Sequence, residues 1–247
     1  MYTDPRGGHN RKHINKNFFR SWSPKMAYVA GFIYADGAIE DVRTSSRTCY
    51  LAIGINDKEL LLDIRKSMSS NHNIYVEKEH WEKFPGNKRY LSRESYKLRV
   101  GSQALFNDLV NLGLTPRKSL TLKFPTVPDI YLGHFVRGYF DGDGCVNISY
   151  KQGSRTPILS TIFTCGSKDF LVSLSHLLEN KISIKAGNVR FQSKAFRLRL
   201  RKNDSLKLLK YIYEDMDKSI YLRRKYDKYQ RYLLEQNSIQ TQIKINP

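Results

Sequence analysis

The sequence predicts an α+β fold built as a tandem of two similar halves. Three observations carry this expectation. A short pattern occurs twice, as Val29-Ala30-Gly31-Phe32-Ile33-Tyr34-Ala35-Asp36-Gly37 and as Val136-Arg137-Gly138-Tyr139-Phe140-Asp141-Gly142-Asp143-Gly144. The same series of helix-like and strand-like stretches follows each copy. Finally, Tyr96-Lys97-Leu98-Arg99-Val100 in one half and Phe196-Arg197-Leu198-Arg199-Leu200 in the other alternate apolar and basic residues. That is the period of a strand with one buried and one exposed face. With 247 residues, 40% of them hydrophobic, the chain can bury a core in one large domain or two small ones.

The elements follow in order. Residues 1–22 read as a flexible basic arm, with Gly7-Gly8 and no period. Ser23-Pro24 supplies an N-cap and a proline in the first turn. The helix then runs to about Asp36, where Gly37 can provide a left-handed stop. A strand, the tripeptide Ser46-Arg47-Thr48, a second strand from Tyr50 to Ile55 and an amphipathic helix from Lys58 come next. The alternating strand at 96–100 and a helix from Leu105 to Leu112 complete a first half at 23–115. Pro116, Pro125 and Pro128 mark a linker at 116–127.

The second half, 128–236, repeats the series. Val127-Pro128-Asp129 opens its helix and Gly144 ends it. Ser154-Arg155-Thr156, a strand from Leu159 to Thr164, a helix from Lys168, the strand at 196–200 and a helix from Leu206 to Tyr213 follow. Tyr221 to Tyr232 has helical spacing and is expected to cover the core, leaving a tail at 237–247. Each half reads helix–strand–strand–helix–strand–strand–helix, a duplication rather than a solenoid.

Gly31 and Ala35 lie four apart, as do Gly138 and Gly142, so each pair sits on one helix face and lets another backbone come close. A helix packed on its own sheet would also use such a stripe. The matching stripe in both copies favours helix on helix across a pseudo-twofold axis. Placed parallel, the two helices bring Asp36 and Asp143 together at their negative C-terminal ends. Two carboxylates there repel, unless a divalent cation sits between them. Mg²⁺ takes oxygen ligands, often one or two carboxylates plus substrate phosphate oxygens, and can activate water for displacement at phosphorus. A lone Asp-Gly more often caps a turn; the repetition and the charge of the chain weigh against that here.

Lys and Arg number 42 against 23 acids, a net charge of +19. Such a field attracts polyanions, nucleic acid before an anionic membrane surface. No apolar run is long enough to span a membrane and no signal peptide opens the chain, which points to an intracellular protein of cytoplasm, nucleoid or organelle. Cys49, Cys145 and Cys165 have no paired spacing, so free thiols are expected. No phosphate-binding glycine loop is present. His72-Asn73 and His9-Asn10 suggest an HNH nuclease only faintly, since no metal-site pattern surrounds them.

Both nonapeptides resemble the LAGLIDADG motif of homing endonucleases in its single-chain, two-motif form, and the likeness extends from about Ser23 to Tyr232. The resemblance implies two αββαββα halves related by a pseudo-twofold axis. Motif helices form the interface, and two antiparallel sheets form a DNA-binding saddle. It implies Asp36 and Asp143 as metal ligands, helped by the backbone carbonyls of Ala35 and Gly142. The sixth motif position is Asp141 in one copy but Tyr34 in the other, a departure expected to affect packing or a cap. A catalytic basic residue is implied at Lys118 and at Lys225, each 82 positions beyond its acid, with Lys97 and Arg197 as competitors.

Arg47, Lys97 and Arg99 in one half, and Arg155, Arg197 and Arg199 in the other, are the implied DNA contacts. The implied activity is Mg²⁺-dependent cleavage of both strands of double-stranded DNA at a long asymmetric site, leaving short 3′ overhangs. It would use two or three shared divalent ions, with Mn²⁺ as a substitute. The single-chain form implies a monomer, and its two unlike halves imply an asymmetric target. An intron-encoded or free-standing gene is favoured over an intein. The alternative is a non-cleaving intron RNA maturase or a DNA-binding regulator on the same scaffold.

Overall fold

Ser23 begins the first helix through its own side chain, which accepts a hydrogen bond from the Met26 amide at 3.1 Å. The computed structural model describes residues 12–43, 48–83, 89–154, 156–185, 187–214 and 220–245, with side chains as far as 238. The first half comprises α1 (Pro24–Asp36), β1 (Gly37–Asp41), β2 (Cys49–Ile55), α2 (Lys58–Ser67), β3 (Ile74–Glu77), β4 (His80–Lys83), β5 (Arg89–Ser92), β6 (Ser95–Gly101) and α3 (Gln103–Asn111). The second comprises α4 (Leu132–Asp143), β7 (Gly144–Tyr150), β8 (Pro157–Cys165), α5 (Lys168–Ile182), β9 (Val189–Gln192), β10 (Ala195–Leu200), α6 (Lys202–Ile212) and α7 (Arg223–Ile245). Asp57, Ser102 and Ser167 cap α2, α3 and α5 as Ser23 caps α1, satisfying an amide the helix leaves open.

The sheets repeat like the sequence. Both are antiparallel, in the orders β1-β2-β6-β3 and β7-β8-β10-β9. Leu98 and Val100 of β6, and Leu198 and Leu200 of β10, are buried, while the basic residues between them face the other way. A single apolar cluster runs through both halves, and α1 and α4 sit at its centre, with every residue from Met26 to Tyr34 buried. This is the α+β, pseudo-twofold architecture the sequence predicts. Among the described residues no helix is long and apolar enough to cross a membrane, and Cys49, Cys145 and Cys165 are free thiols.

The structure departs from the sequence reading in five places. Gly37 and Gly144 are extended (φ −91 and −89), not left-handed. They start strands at once, and glycine is needed because a Cβ would lie 2.7 Å from the Ile33 Cα and 2.4 Å from the Phe140 carbonyl oxygen. The expected arm is packed from residue 12 on: Ile14, Phe18 and Phe19 are buried, and the Asn15 amide bonds the Met68 carbonyl at 3.0 Å. A single 3-10 turn, Asp129–Tyr131, precedes α4. The 116–127 linker is partly core, since Lys118 and Leu122 are buried. Helix α7 continues through the expected boundary between 236 and 237.

Candidate active site

Helices α1 and α4 meet backbone to backbone. A Cβ on Gly31 would stand 2.0 Å from the Phe135 carbonyl oxygen, and one on Gly138 would stand 2.0 Å from the Tyr28 carbonyl oxygen. The two contacts are reciprocal, as a twofold axis requires. At the C-terminal end Gly142 lies against Ala35, whose Cβ is 2.4 Å from where a glycine Cβ would be. The small-residue stripe is thus an interface between the motif helices.

That contact sets the two motif acids side by side. The Asp36 carboxylate reaches over Gly142, with Oδ2 3.3 Å from the same virtual Cβ. Burial pushes the Asp143 carboxyl up to about 6, and the charge of Asp36 adds to the rise, while Lys118 and Lys225 oppose it. Asp36 is itself raised by desolvation against the pull of Lys225, Lys118 and Arg224.

One lysine bonds the end of each motif helix. Lys118 Nζ donates to the Ala35 carbonyl at 3.1 Å. Lys225 Nζ donates to the carbonyls of Phe140, Asp141 and Gly142 at 2.6, 2.8 and 3.3 Å. Each ammonium therefore sits on the negative end of the motif helix of its own half. Both side chains are buried. Burial lowers Lys118 against the attraction of Asp143 and Asp36, and lowers Lys225 to about 8 against the attraction of Asp141.

The donor set suits a hard divalent cation. It consists of oxygens alone: the carboxylates of Asp36 and Asp143 and the carbonyls of Ala35 and Gly142. Among the described residues no three His, Cys, Asp or Glu side chains gather around a metal position, and two carboxylates suffice for Mg²⁺ when phosphate and water complete the shell. The lysine bonds leave room, because a carbonyl oxygen has a second lone pair.

Of the implied DNA contacts, Lys97, Arg99, Arg197 and Arg199 lie on the sheet faces turned away from the core. Lys97 pairs across the strands with Tyr75 and Gly54, and Arg99 with Ala52. Arg99 is held by Glu40 at 2.8 Å and by the Tyr50 ring at 3.5 Å. In the second half Arg197 stands directly opposite Arg190, with Arg199 two positions along. Like charges so placed destabilise a sheet, and a polyanion relieves them. Lys97 and Arg197 belong to these faces, and Lys118 and Lys225 to the surroundings of the acids. Arg47 and Arg155 lie outside the described residues, as does His9-Asn10; His72 is bonded to Ser70 at 3.0 Å. Sequence reasoning missed Arg190, although Val189-Arg190-Phe191-Gln192 carries the alternation that would have marked it. It also missed Arg224, whose charge reaches Asp36.

Comparison with known proteins agrees with this fold. The family model described as LAGLIDADG-like domain matches residues 131–213. A curated relative, the probable translation initiation factor IF-2 of Methanocaldococcus jannaschii, is 28% identical over 223 residues; the match covers 82% of this chain but only 16% of that protein. Among solved structures, the LAGLIDADG meganuclease I-CpaMI bound to uncleaved DNA superposes with a TM-score of 0.56 at 16% identity, covering 90% of this chain and 93% of that one. The LAGLIDADG homing endonuclease I-GzeII in complex with its DNA target gives 0.60 at 13% identity, with 90% and 92% covered. I-SmaMI, bound to uncleaved DNA in the presence of calcium ions, gives 0.54 at 13% identity, with 92% and 95% covered. Residues 131–213 thus match a LAGLIDADG-like domain, and with its paired helices and two like-ordered sheets the chain has the fold of the LAGLIDADG meganucleases and homing endonucleases it resembles.

Proposed function

We propose that this chain is a monomeric, metal-dependent endonuclease that cuts both strands of double-stranded DNA at a long asymmetric site, leaving short 3′ overhangs. The observation that carries the reading is the crowding of Asp36 and Asp143 at two negative helix ends, where burial and mutual repulsion raise Asp143 to about 6. A folded chain holds two such groups together at a cost in stability, and a divalent cation turns that cost into binding energy. Asp36, Asp143 and the carbonyls of Ala35 and Gly142 would hold Mg²⁺, in two or three ions, with Mn²⁺ as a substitute. The bound metal would supply an activated water and offset charge at the phosphate.

The protein's own groups do the rest. Lys118 and Lys225 keep positive charge beside the acids, where the scissile phosphates would enter. The face carrying Lys97 and Arg99, and the face carrying Arg190, Arg197 and Arg199, would lie along the duplex on either side, and Arg47 and Arg155 belong to the same proposal. Nothing of the initiation factor's role in translation is carried over, since the chain spans about a sixth of that protein.

The test uses Asp36→Asn and Asp143→Asn. Each variant is expected to bind a duplex selected from a randomised library and to fail to cut it with Mg²⁺. Full cleavage by either one would sink the metal-site assignment. A preference of the wild type for intron RNA over duplex DNA in a gel shift would favour a maturase instead.

A further inference from the structure

Helix α7 opens with Arg223, Arg224 and Lys225, and each cation is placed differently. Arg223 Nη1 reaches Glu59, on α2 of the first half, at 3.3 Å. Lys225 turns inward and bonds the carbonyls that end α4. Successive helix positions are about 100° apart, so Arg224 points between those two directions. The start of the helix is fixed, because Asp141 holds the Leu222 amide at 2.8 Å. Arg224 itself is exposed and, among the described residues, has no ion pair or hydrogen bond.

The first turn of α7 holds no acid, although a helix start favours negative charge. The positive helix end, Arg224 and Lys225 therefore form a cationic corner, and both side chains pull on the Asp36 carboxylate across the pseudo-twofold axis. A planar guanidinium there presents a fork of donors that matches a phosphate.

The first half builds no such corner. Pro116-Arg117-Lys118 is the matching tripeptide, but Lys118 opens only a single 3-10 turn, Lys118–Leu120, and Arg117 before it is left-handed (φ 59, ψ 33). The turn is packed in place, since a Cβ on Gly166 would stand 2.2 Å from the Ser119 carbonyl oxygen. Arg117 is thus carried away from the direction that Arg224 takes from its helix. The charges acting on Asp143 are those of Asp36, Lys118 and Lys225, with no arginine among them. The two sides of the site agree in their acids and lysines and differ in this one guanidinium.

We propose that Arg224 binds the scissile phosphate that enters on the Lys225 side, and that the Lys118 side has no equivalent group. The proposal rests on the endonuclease reading above. A guanidinium on a nonbridging phosphate oxygen offsets the charge that develops there during displacement, so it accelerates the cut in one strand. The other scissile phosphate would meet Lys118 without an arginine.

The experiment uses the full-length protein and a duplex that it cuts, selected from a randomised library, with a different label on each strand. Wild type, Arg224→Met, Arg224→Lys and Arg117→Met are compared in single turnover with Mg²⁺. Arg224→Met is expected to keep its melting temperature, to cut one strand at least about tenfold more slowly and to cut the other at the wild-type rate, so that nicked duplex accumulates. Arg224→Lys should recover part of the lost rate, and Arg117→Met should cut both strands as the wild type does. Binding in EDTA gives a second readout. A neutral methylphosphonate at the affected phosphate should weaken the wild type about fivefold and Arg224→Met hardly at all, because the pair it breaks is already gone. An equal methylphosphonate effect in both proteins overturns the proposal. Equal slowing of both strands also overturns it, and makes Arg224 a group that acts through the shared acids. Unchanged rates on both strands overturn it and leave the endonuclease reading standing. A wild type that cuts no duplex fails that reading and takes the proposal with it.

Discussion

The hydroxyl of Tyr28, on α1, donates a hydrogen bond of 2.8 Å to Oδ2 of Asp141, on α4. It links the two motif helices through buried side chains, and it has no symmetric partner, because Tyr34 stands where a second Asp141 would be. The two residues do related work by opposite means. Asp141 accepts, from Tyr28 and also from the Leu222 amide at 2.8 Å and the Tyr213 hydroxyl at 3.4 Å. Tyr34 donates, to the Leu112 carbonyl. In both halves the sixth motif position ties down the segment that leads to the site lysine. Arg137 strengthens the tie in the second half by donating to the carbonyls of Ile212 and Ile220 at 2.7 and 3.1 Å.

Removing Asp141 should therefore cost far more than removing Tyr28's hydroxyl. Asp141→Ala strands a buried amide and two buried hydroxyls, and is expected to lose about 3 kcal/mol or more in urea unfolding. Tyr28→Phe removes one of three donors, with an expected loss of about 1 kcal/mol. Equal losses would mean that Asp141 does not hold the α6–α7 connection.

The helix interface gives a second prediction. Gly31→Ala and Gly138→Ala each place a methyl 2.0 Å from a carbonyl oxygen of the facing helix, where backbone must yield. Each should lose about 3 kcal/mol or fail to fold. Gly54 on the outer face of β2 has nothing within 4 Å of a virtual Cβ, so Gly54→Ala should leave the melting temperature nearly unchanged. A harmless Gly31→Ala would contradict the close approach of α1 and α4.

How legible all this was in the sequence depends on what each residue must satisfy. The stripe of Gly31, Ala35, Gly138 and Gly142, and the alternation of β6 and β10, were readable because one face of each element is buried and the period records it. The β4–β5 ribbon was not, since Trp81, Tyr90 and Leu91 are exposed and leave no buried period to find. Gly37 was legible as an obligatory glycine but not as an extended one, because close approach and positive φ demand the same residue. Phe18 and Phe19 were hidden among basic residues without a repeat. Within Arg223-Arg224-Lys225 the spacing of 82 from Asp143, equal to that from Asp36 to Lys118, already marked Lys225, and the phase of α7 turns that cation inward.

The lysines should show themselves in the pH dependence of cleavage. Their charges hold down both carboxyls, Lys225 exerting the largest pull on Asp36 and Lys118 on Asp143. Replacing a lysine by methionine removes that pull, so the carboxyl ionises only at higher pH. The acid limb of the rate profile is expected to move up for Lys118→Met and for Lys225→Met. Lys225→Met should also lose more stability, since it breaks bonds to three carbonyls rather than one. An acid limb that stays in place in both variants would remove the lysines from the electrostatics of the site.

Asp143 should make the protein less stable as the pH rises through its range, in the absence of divalent metal. Its carboxyl titrates at about 6 in the fold and at about 3.9 in an unfolded chain. Between those values the folded chain keeps a proton that the unfolded chain has lost, so stability falls with rising pH and the penalty is complete above about 6. Two pK units correspond to about 2–3 kcal/mol. Asp143→Asn cannot ionise, so in EDTA it should exceed the wild type in stability by about 2 kcal/mol at pH 8. The difference should shrink towards zero below about pH 4, where Asp143 is protonated in both states. Saturating Mg²⁺ should reverse the order, because about 2.7 kcal/mol accrues to the wild type at a hundredfold excess over Kd and the variant has lost a ligand. Urea unfolding at pH 4 and pH 8, with EDTA and with Mg²⁺, measures all four states. Equal stability of the two proteins at pH 8 in EDTA would mean that the motif acids do not burden each other, and the argument for a cation between them would fall.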